Sequence, residues 1–461
     1  MQLEEVSTWV AANFKLGDVR RSRALAEMAW GLMQAPKMSF AAIGRSMESG
    51  SSPASEITRV FKFCHNSLVD PSAVQAGLIN ALVGQAGIAL GDRTVVTIAM
   101  DWHAHDNGRM NSLRVSLMTG TRAIPLFWAE IETTKLKGCM SQMEQDAIRE
   151  LIRFRPPGLT WLILLDSGFR SPDLIQLLDE AGYYVVRSTL GTLFHSAEGC
   201  WTRVGDLPVA VGQIVEFGWG HLSRQSPLTV RLVGARIHDV KPPKPGGRRS
   251  TTHHDNKSTD PGLCIVATNL PIELVPALVV IRLYSRRFEI EHNFRDLKNA
   301  SLGMDMEHVH LRDPATYERL MCIVAVAEAL LWLAGSEAEK RELQRRFTPS
   351  QPRDGRRILS LRQVGHLCLR LVKAPILQMI EEHLRSAIAS VITVVGRTWK
   401  DGHDHKRLKS AIIHRADLED LARSCDTKRR APTRPCTTEP RWELIRDDDC
   451  ASVVVATRKA A

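Results

Sequence analysis

Apolar positions recur at helical spacing through Ala24, Leu25, Met28, Ala29 and Leu32, and again through Val74, Leu78, Leu82 and Val83. Residues 1 to about 90 therefore predict a helical N-terminal region. The basic cluster Leu16-Gly17-Asp18-Val19-Arg20-Arg21-Ser22-Arg23 opens the first of these helices, and no β pattern precedes Gly91. The pattern then changes. Thr94 to Met100 is a short β-rich run ending on Asp101, and Leu113–Met118 and Ala123–Ile131 flank Thr119-Gly120-Thr121-Arg122, a hairpin turn in which Gly supplies the positive φ.

After a polar helical stretch, Leu159 to Leu165 forms a nearly continuous apolar run ending on Asp166, the pattern of a strand covered on both faces. Ser171-Pro172-Asp173 reads as a cap, a first-turn proline and an acid at the positive end of a helix that stops at Gly182. Tyr183 to Arg187 follows as another strand. Hairpin, helix, strand, helix and strand together predict an α/β core with a mixed sheet. From about 190 to 275 the chain reads as strand and loop, including the basic Pro/Gly-rich segment 241–249. Helical patterning resumes near Ile272, and from about 346 onward the chain reads as a basic helical tail. Leu320 to Ala334 is the most apolar run. It is too short to span a bilayer, contains Glu328, and predicts a buried core helix.

Composition narrows the picture only slightly. Hydrophobic residues make up 44% of 461, enough for a real core, which excludes disorder over the whole chain. Sixty-one Lys and Arg against fifty-one Asp and Glu leave a formal charge of +10, which permits a polyanionic partner without requiring one. The first thirty residues carry Glu4, Glu5 and Asp18 and show no signal architecture. Nine scattered cysteines, never in a C-x-x-C pair, argue against a disulfide framework or zinc ribbon and for a reducing cytosol.

Candidate chemistry lies at Asp101 and Asp166, each at the end of an apolar strand where a side chain can leave the core for a cleft. A strand-end aspartate is also an ordinary turn or cap residue. Asp106 is the one nearby competitor to Asp101 and ranks second. His103, His105, His253 and His254 lack the companion spacing of a metal site and read as loop residues. A single helix is expected over Tyr284–Lys298. At about 100° per residue, Tyr284, Arg287, Glu291 and Lys298 then fall within an arc of roughly 60°, with Glu289 roughly 140° from Tyr284. That face presents a phenol, a carboxylate and two cations. Its plain alternative is a solvated face with an i, i+4 ion pair. Three converging carboxylates repel unless a cation sits between them. Hard oxygen ligands select Mg²⁺ or Mn²⁺, and such ions suit in-line displacement at phosphorus.

At this point the residues carry a resemblance. Asp101, Asp166 and Glu291 look like the Asp-Asp-Glu triad of the RNase H-like transposases. Tyr284, Arg287, Glu291 and Lys298 fit the Y-x2-R-x3-E-x6-K signature of the bacterial insertion-sequence transposases related to the one on the kanamycin-resistance composite transposon. Leu16-Gly17-Asp18-x-Arg20-Arg21, Phe61-Lys62-Phe63-x-x-Asn66, Val185-Val186-Arg187-Ser188 and Asp313-Pro314 through Arg319 resemble further elements of that family, over roughly residues 10 to 335.

The resemblance implies an RNase H-like catalytic domain over 91–345 with a β-rich insertion at about 190–275. It also implies a helical DNA-binding domain over 1–90 and a helical basic region over 346–461 for dimerisation or DNA contact. Asp101, Asp166 and Glu291 would hold Mg²⁺, or Mn²⁺ as a substitute. Tyr284, Arg287, Lys298, Arg20, Arg21, Arg23, Lys62 and Arg187 would contact double-stranded DNA. The expected activity is cut-and-paste transposition, through a hairpin intermediate, by a homodimer bound to terminal inverted repeats and target DNA. The expected location is the bacterial cytoplasm, at the nucleoid and away from membranes. Three departures stand out: Trp102-His103 follows Asp101 where relatives often carry a small hydroxyl residue nearby, Ser167 follows Asp166 where relatives commonly carry Arg, and Leu263-Cys264-Ile265-Val266 lacks the Trp that base-flipping relatives carry in the insertion's last strand. Another RNase H-like nuclease and a non-catalytic DNA-binding regulator are the alternatives.

Overall fold

The computed structural model describes residues 3–83, 88–90, 92–119, 122–197, 199–236, 262–299, 306–348 and 359–371. The centre of the expected hairpin turn at Gly120-Thr121, the basic segment 241–249, His253-His254 and the tail beyond 371 lie outside them. The chain divides into two compact units: the described residues of Met1–Leu165, Ser171–Tyr184 and Arg286–Arg397, and those of Asp166–Arg170 and Val185–Ser285.

The first unit begins with α1 (Leu3–Asn13), α2 (Val19–Gln34), α3 (Phe40–Arg45), α4 (Pro53–His65) and α5 (Pro71–Val83). The basic cluster thus opens the second helix rather than the first, and α1 buries Val6, Trp9 and Val10. Asp18 caps α2 by accepting from the Arg20 backbone N–H at 2.8 Å. A short strand, β1 (Ile88–Leu90), precedes the expected start of β structure and pairs with β2 (Arg93–His105). Next come β3 (Met110–Met118), β4 (Ala123–Glu132), α6 (Thr133–Leu136), α7 (Met140–Arg153), β5 (Leu159–Leu165), α8 (Pro172–Ala181) and β6 (Gly182–Arg187), whose first half belongs to this unit.

The sheet is mixed. β2 pairs antiparallel with β3 and parallel with β5, and β4 pairs antiparallel with β3. Pro125 sits beside a register shift on β4, the outer strand, the setting in which a strand tolerates proline. Gly182, at φ 147°, meets the Trp161 carbonyl so closely that an added Cβ would lie 2.5 Å from it, so the turn into β6 needs glycine.

After β6 the unit resumes with α10 (Phe288–Leu297), α11 (Pro314–Lys340) and α12 (Leu361–Leu371). Asp313 caps α11 by accepting from the Thr316 N–H at 2.9 Å, with Pro314 in the first turn. α11 is longer than its apolar run and, by length and composition, could cross a membrane. Its apolar window is wholly buried within the protein. α12 crosses it at paired glycines: a Cβ on Gly335 would lie 1.7 Å from the Leu361 carbonyl oxygen, and one on Gly365 2.0 Å from that of Leu331.

The second unit is an antiparallel sheet in the order β6, β11 (Leu263–Thr268), β10 (Leu228–Arg236), β9 (Ile214–Leu222), β7 (Leu193–Ser196) and β8 (Thr202–Arg203), with α9 (Ala277–Ser285). Phe194, Val204, Val215, Val230, Leu232 and Ile265 form its core. Arg231 is fully buried there, and every arm of its guanidinium is used. It donates to both Glu216 carboxylate oxygens and to the carbonyls of Leu270 (3.1 Å), Pro271 (3.4 Å) and Val275 (2.7 Å). These bonds close the chain leading into α9 onto the sheet.

Candidate active site

Successive side chains of a strand alternate faces, and β2 shows this with charged and aromatic residues. Trp102 turns toward α7, donating its indole N–H to Glu144 at 2.9 Å. Asp101, His103 and His105 share the opposite face, the one covered by α10 and α11. Asp101 is not the end of the strand, as the apolar run had suggested. β2 continues for four residues, paired with β3 through His105, although its register with β5 stops at Ala99–Leu164.

On that face Arg287 bridges two carboxylates. Its guanidinium donates to Asp101 Oδ2 at 2.9 Å and to Glu291 Oε1 at 2.5 Å. Arg287 is buried and Asp101 and Glu291 are part-buried, so these charges meet where water screens them weakly. Two residues separated by 190 positions of sequence are thereby brought to one positive group. Glu289 pairs with Arg286 at 3.1 Å and accepts from the Thr119 N–H at 2.9 Å.

The helix expected over Tyr284–Lys298 is two helices. α9 ends at Ser285 and α10 begins at Phe288, and the Glu289 and Ile290 N–H groups donate to the carbonyls three residues back, Arg286 and Arg287, tightening the junction. The single-helix arc therefore does not extend back to Tyr284, which is buried at the end of α9 in the second unit. Lys298 caps the far end of α10. It donates to the Ala104 carbonyl at 2.9 Å and forms an ion pair with Glu307.

Asp166 opens a short segment of the second unit. Its Oδ1 accepts from the Gly168 N–H at 2.6 Å, a local turn that leaves Oδ2 for another partner. Arg187 donates to the Leu263 carbonyl at 3.5 Å within the same unit. Among the described residues no three His, Cys, Asp or Glu side chains form a group able to hold a metal ion.

The rival Asp106 is buried at a left-handed turn (φ 51°) and fully engaged. It accepts from Arg109 Nε at 2.8 Å, the Tyr317 hydroxyl at 2.9 Å and His310. Burial raises its pKa, but the hydrogen bonds from His310, Arg109 and Tyr317 outweigh it and hold the carboxyl below its ordinary range.

Three groups around β2 were not singled out by the sequence as parts of this face. His105 Nε2 pairs with Glu130 at 2.8 Å, both side chains wholly buried. His103 stacks on Phe294 of α10, ring centroids 4.3 Å apart at 14°. Burial, with the charges of Arg114 and Lys298 nearby, pushes His103 well below the usual histidine range. Arg114, the register partner of Asp101, is fully buried with its guanidinium carbon 5.5 Å from the Phe294 ring centre. The available signal was the i, i+2 spacing of Asp101, His103 and His105, which a loop reading obscured.

The N-terminal cations separate by exposure. Arg21 is committed to structure, donating to the carbonyls of Leu16 (2.7 Å) and Leu68 (3.1 Å). Arg20 and Lys62 are exposed, as is Arg23, which pairs with Glu27 at 2.9 Å.

Over residues 92–328, just over half of the chain, the sequence matches the family described as transposase DDE domain. No curated protein matches it.

Proposed function

The chain belongs to the DDE transposases, and from that premise we propose that it is the DNA transposase of an insertion sequence, of the subfamily with the Tyr-Arg-Glu-Lys signature. On this reading the core is RNase H-like, with 190–275 as its insertion. It binds the element's terminal inverted repeats and carries out metal-dependent strand cleavage and strand transfer through a hairpin, as a homodimer at the cytoplasmic nucleoid.

The observation that carries the reading is the convergence of Asp101 and Glu291 on Arg287. Carboxylate oxygens gathered around one positive group are the donor chemistry a hard divalent cation takes. Asp166 supplies the third carboxylate. It follows Leu164 by two residues, as Asp101 follows Ala99, and Ala99–Leu164 is the last register pair of β2 and β5. Asp101, Asp166 and Glu291 would hold Mg²⁺, or Mn²⁺ in its place. The ion would supply Lewis-acid activation of the attacking and leaving oxygens during displacement at phosphorus.

The protein's own residues do the rest. Arg287 orients Asp101 and Glu291 and presents a guanidinium suited to a DNA phosphate. Lys298 and Tyr284 complete the grip on the transposon end. Lys298 exchanges Glu307 for phosphate when DNA arrives. Arg20, Arg21, Arg23, Lys62 and Arg187 are the further DNA contacts of this reading.

Purified protein with Mg²⁺ is expected to nick and join DNA carrying the inverted repeats that flank its gene. Asp101→Ala, Asp166→Ala and Glu291→Ala should each abolish both steps. Joining that survives in these variants would overturn the site. DNA binding without any cleavage by the unaltered protein would mark a regulator instead.

A further inference from the structure

We propose that the ring of Phe294, in contact with both His103 and Arg114, is the positioning element that fixes the spacing of Asp101 and Glu291. This rests on the reading of those two carboxylates as metal ligands and adds residues that do not touch the metal or the DNA.

The argument starts from two periodicities. On a strand, residues two apart share a face, so His103 stands beside Asp101, about 6.6 Å further along β2. On a helix, residues three apart are neighbours one turn on, so Phe294 stands beside Glu291, about 4.5 Å further along α10. A contact between His103 and Phe294 therefore ties the two carboxylate-bearing elements together one step away from the carboxylates. The contact is close and nearly parallel, 4.3 Å between centroids at 14°. Flat rings in this arrangement resist rotation and sliding in a way that a branched aliphatic side chain does not.

Arg114 supplies a second contact with the same ring. It is the Cα register partner of Asp101, so a shift of Phe294 against β3 is a shift against the strand position opposite Asp101. Its guanidinium lies over the Phe294 ring. Its other hydrogen bonds are weak: the Ser112 hydroxyl at 3.0 Å and the thioether sulfurs of Met306 (3.2 Å) and Met321 (3.4 Å), with Nη1 making none although the residue is fully buried, and the carboxylates of Glu130 and Glu328 act on it through charge without a direct bond. A buried cation with so few acceptors gains from the negative face of an aromatic ring. Contact of one ring with both an imidazole and a guanidinium is a specific arrangement. Simple filling of the core needs only volume.

The test titrates the full chain with Mn²⁺ alone, without DNA, by calorimetry well below the thermal transition of each variant. Asp101→Asn is the control for the site. Phe294→Leu removes the ring and Phe294→Tyr keeps it. His103→Leu and His103→Phe make the same comparison from the other side of the stack. Outer supports of a metal site typically change its affinity by roughly tenfold to a hundredfold. The expected result is a loss of that size in both leucine variants, with Mn²⁺ affinity retained in both aromatic variants, whatever the changes in melting temperature.

Leucine variants that melt lower yet bind Mn²⁺ as the unaltered protein does would make the stack ordinary packing and overturn the proposal, leaving the metal site intact. Aromatic variants as weak as their leucine counterparts would also overturn it. If the unaltered protein binds no Mn²⁺, or Asp101→Asn binds it equally well, the metal reading fails and the clamp falls with it.

Discussion

Arg231 and Arg114 are both fully buried, and they are held in opposite ways. Arg231, in the second unit, has a carboxylate on one side and three carbonyls on another, so its charge is paired and its donors are saturated. Arg114, in the first, has a hydroxyl, two sulfurs and a ring face, and one nitrogen without a partner. Burial alone therefore does not reveal what an arginine is for. A saturated one behaves as a structural rivet. An under-satisfied one at the register position opposite Asp101 suggests that geometry there has been kept at some expense in stability.

The comparison can be broken most forcefully at Arg231. Arg231→Met leaves Glu216 and several carbonyls without their donor, and should cost about 3–5 kcal/mol in a urea melt of the full chain. Removing Glu216 as well, as Glu216→Leu, should restore part of that loss. Asp106 is a further saturated buried charge. Asp106→Asn should cost about 2 kcal/mol at neutral pH.

The sign of the pH effect at Asp106 follows from its depressed pKa. Between the folded and unfolded values the unfolded chain binds the extra proton. The stabilisation is thus fully present above about pH 4 and lost as pH falls through the folded value. Acid titration of stability should show this limb flattened in Asp106→Asn. Arg114→Met should cost less, at most about 1 kcal/mol, because it forfeits few good bonds. A loss as large as that at Arg231 would erase the distinction between the two arginines. Smallest of all should be Arg20→Ala and Lys62→Ala, within about 0.5 kcal/mol in stability. If these exposed cations meet phosphate, each should still lower the salt dependence of DNA binding by about one unit in log–log slope.

Much of the core was legible from alternation and apolar runs: β3, β4 and β5, α8 between its first-turn Pro172 and Gly182, and the buried helix around Glu328 all fall where the pattern put them, although the Ser171 side chain makes no capping bond to α8. Other features were hidden for physical reasons. β2 runs past Asp101 because its polar residues find long-range partners, and hydropathy registers only their polarity. The break at Arg286-Arg287 contains neither Gly nor Pro, and Arg287 keeps helical dihedrals, so no local signal marked it. The pairing of Asp101 with Glu291 through Arg287 spans most of the region that matches the family, and spacing could suggest the participants without placing them.

The glycine crossing of α11 and α12 bears on where this polypeptide can be divided. Residue 345, the boundary drawn from sequence, falls before α12, whose Arg362 lies 3.7 Å from Glu328 in the middle of α11. A fragment ending there would strip a backbone-to-backbone contact from the most apolar helix of the protein and leave a buried carboxylate facing solvent. Shortened versions made for crystallisation or domain swapping should keep the chain to at least Leu371, so that this seam stays closed.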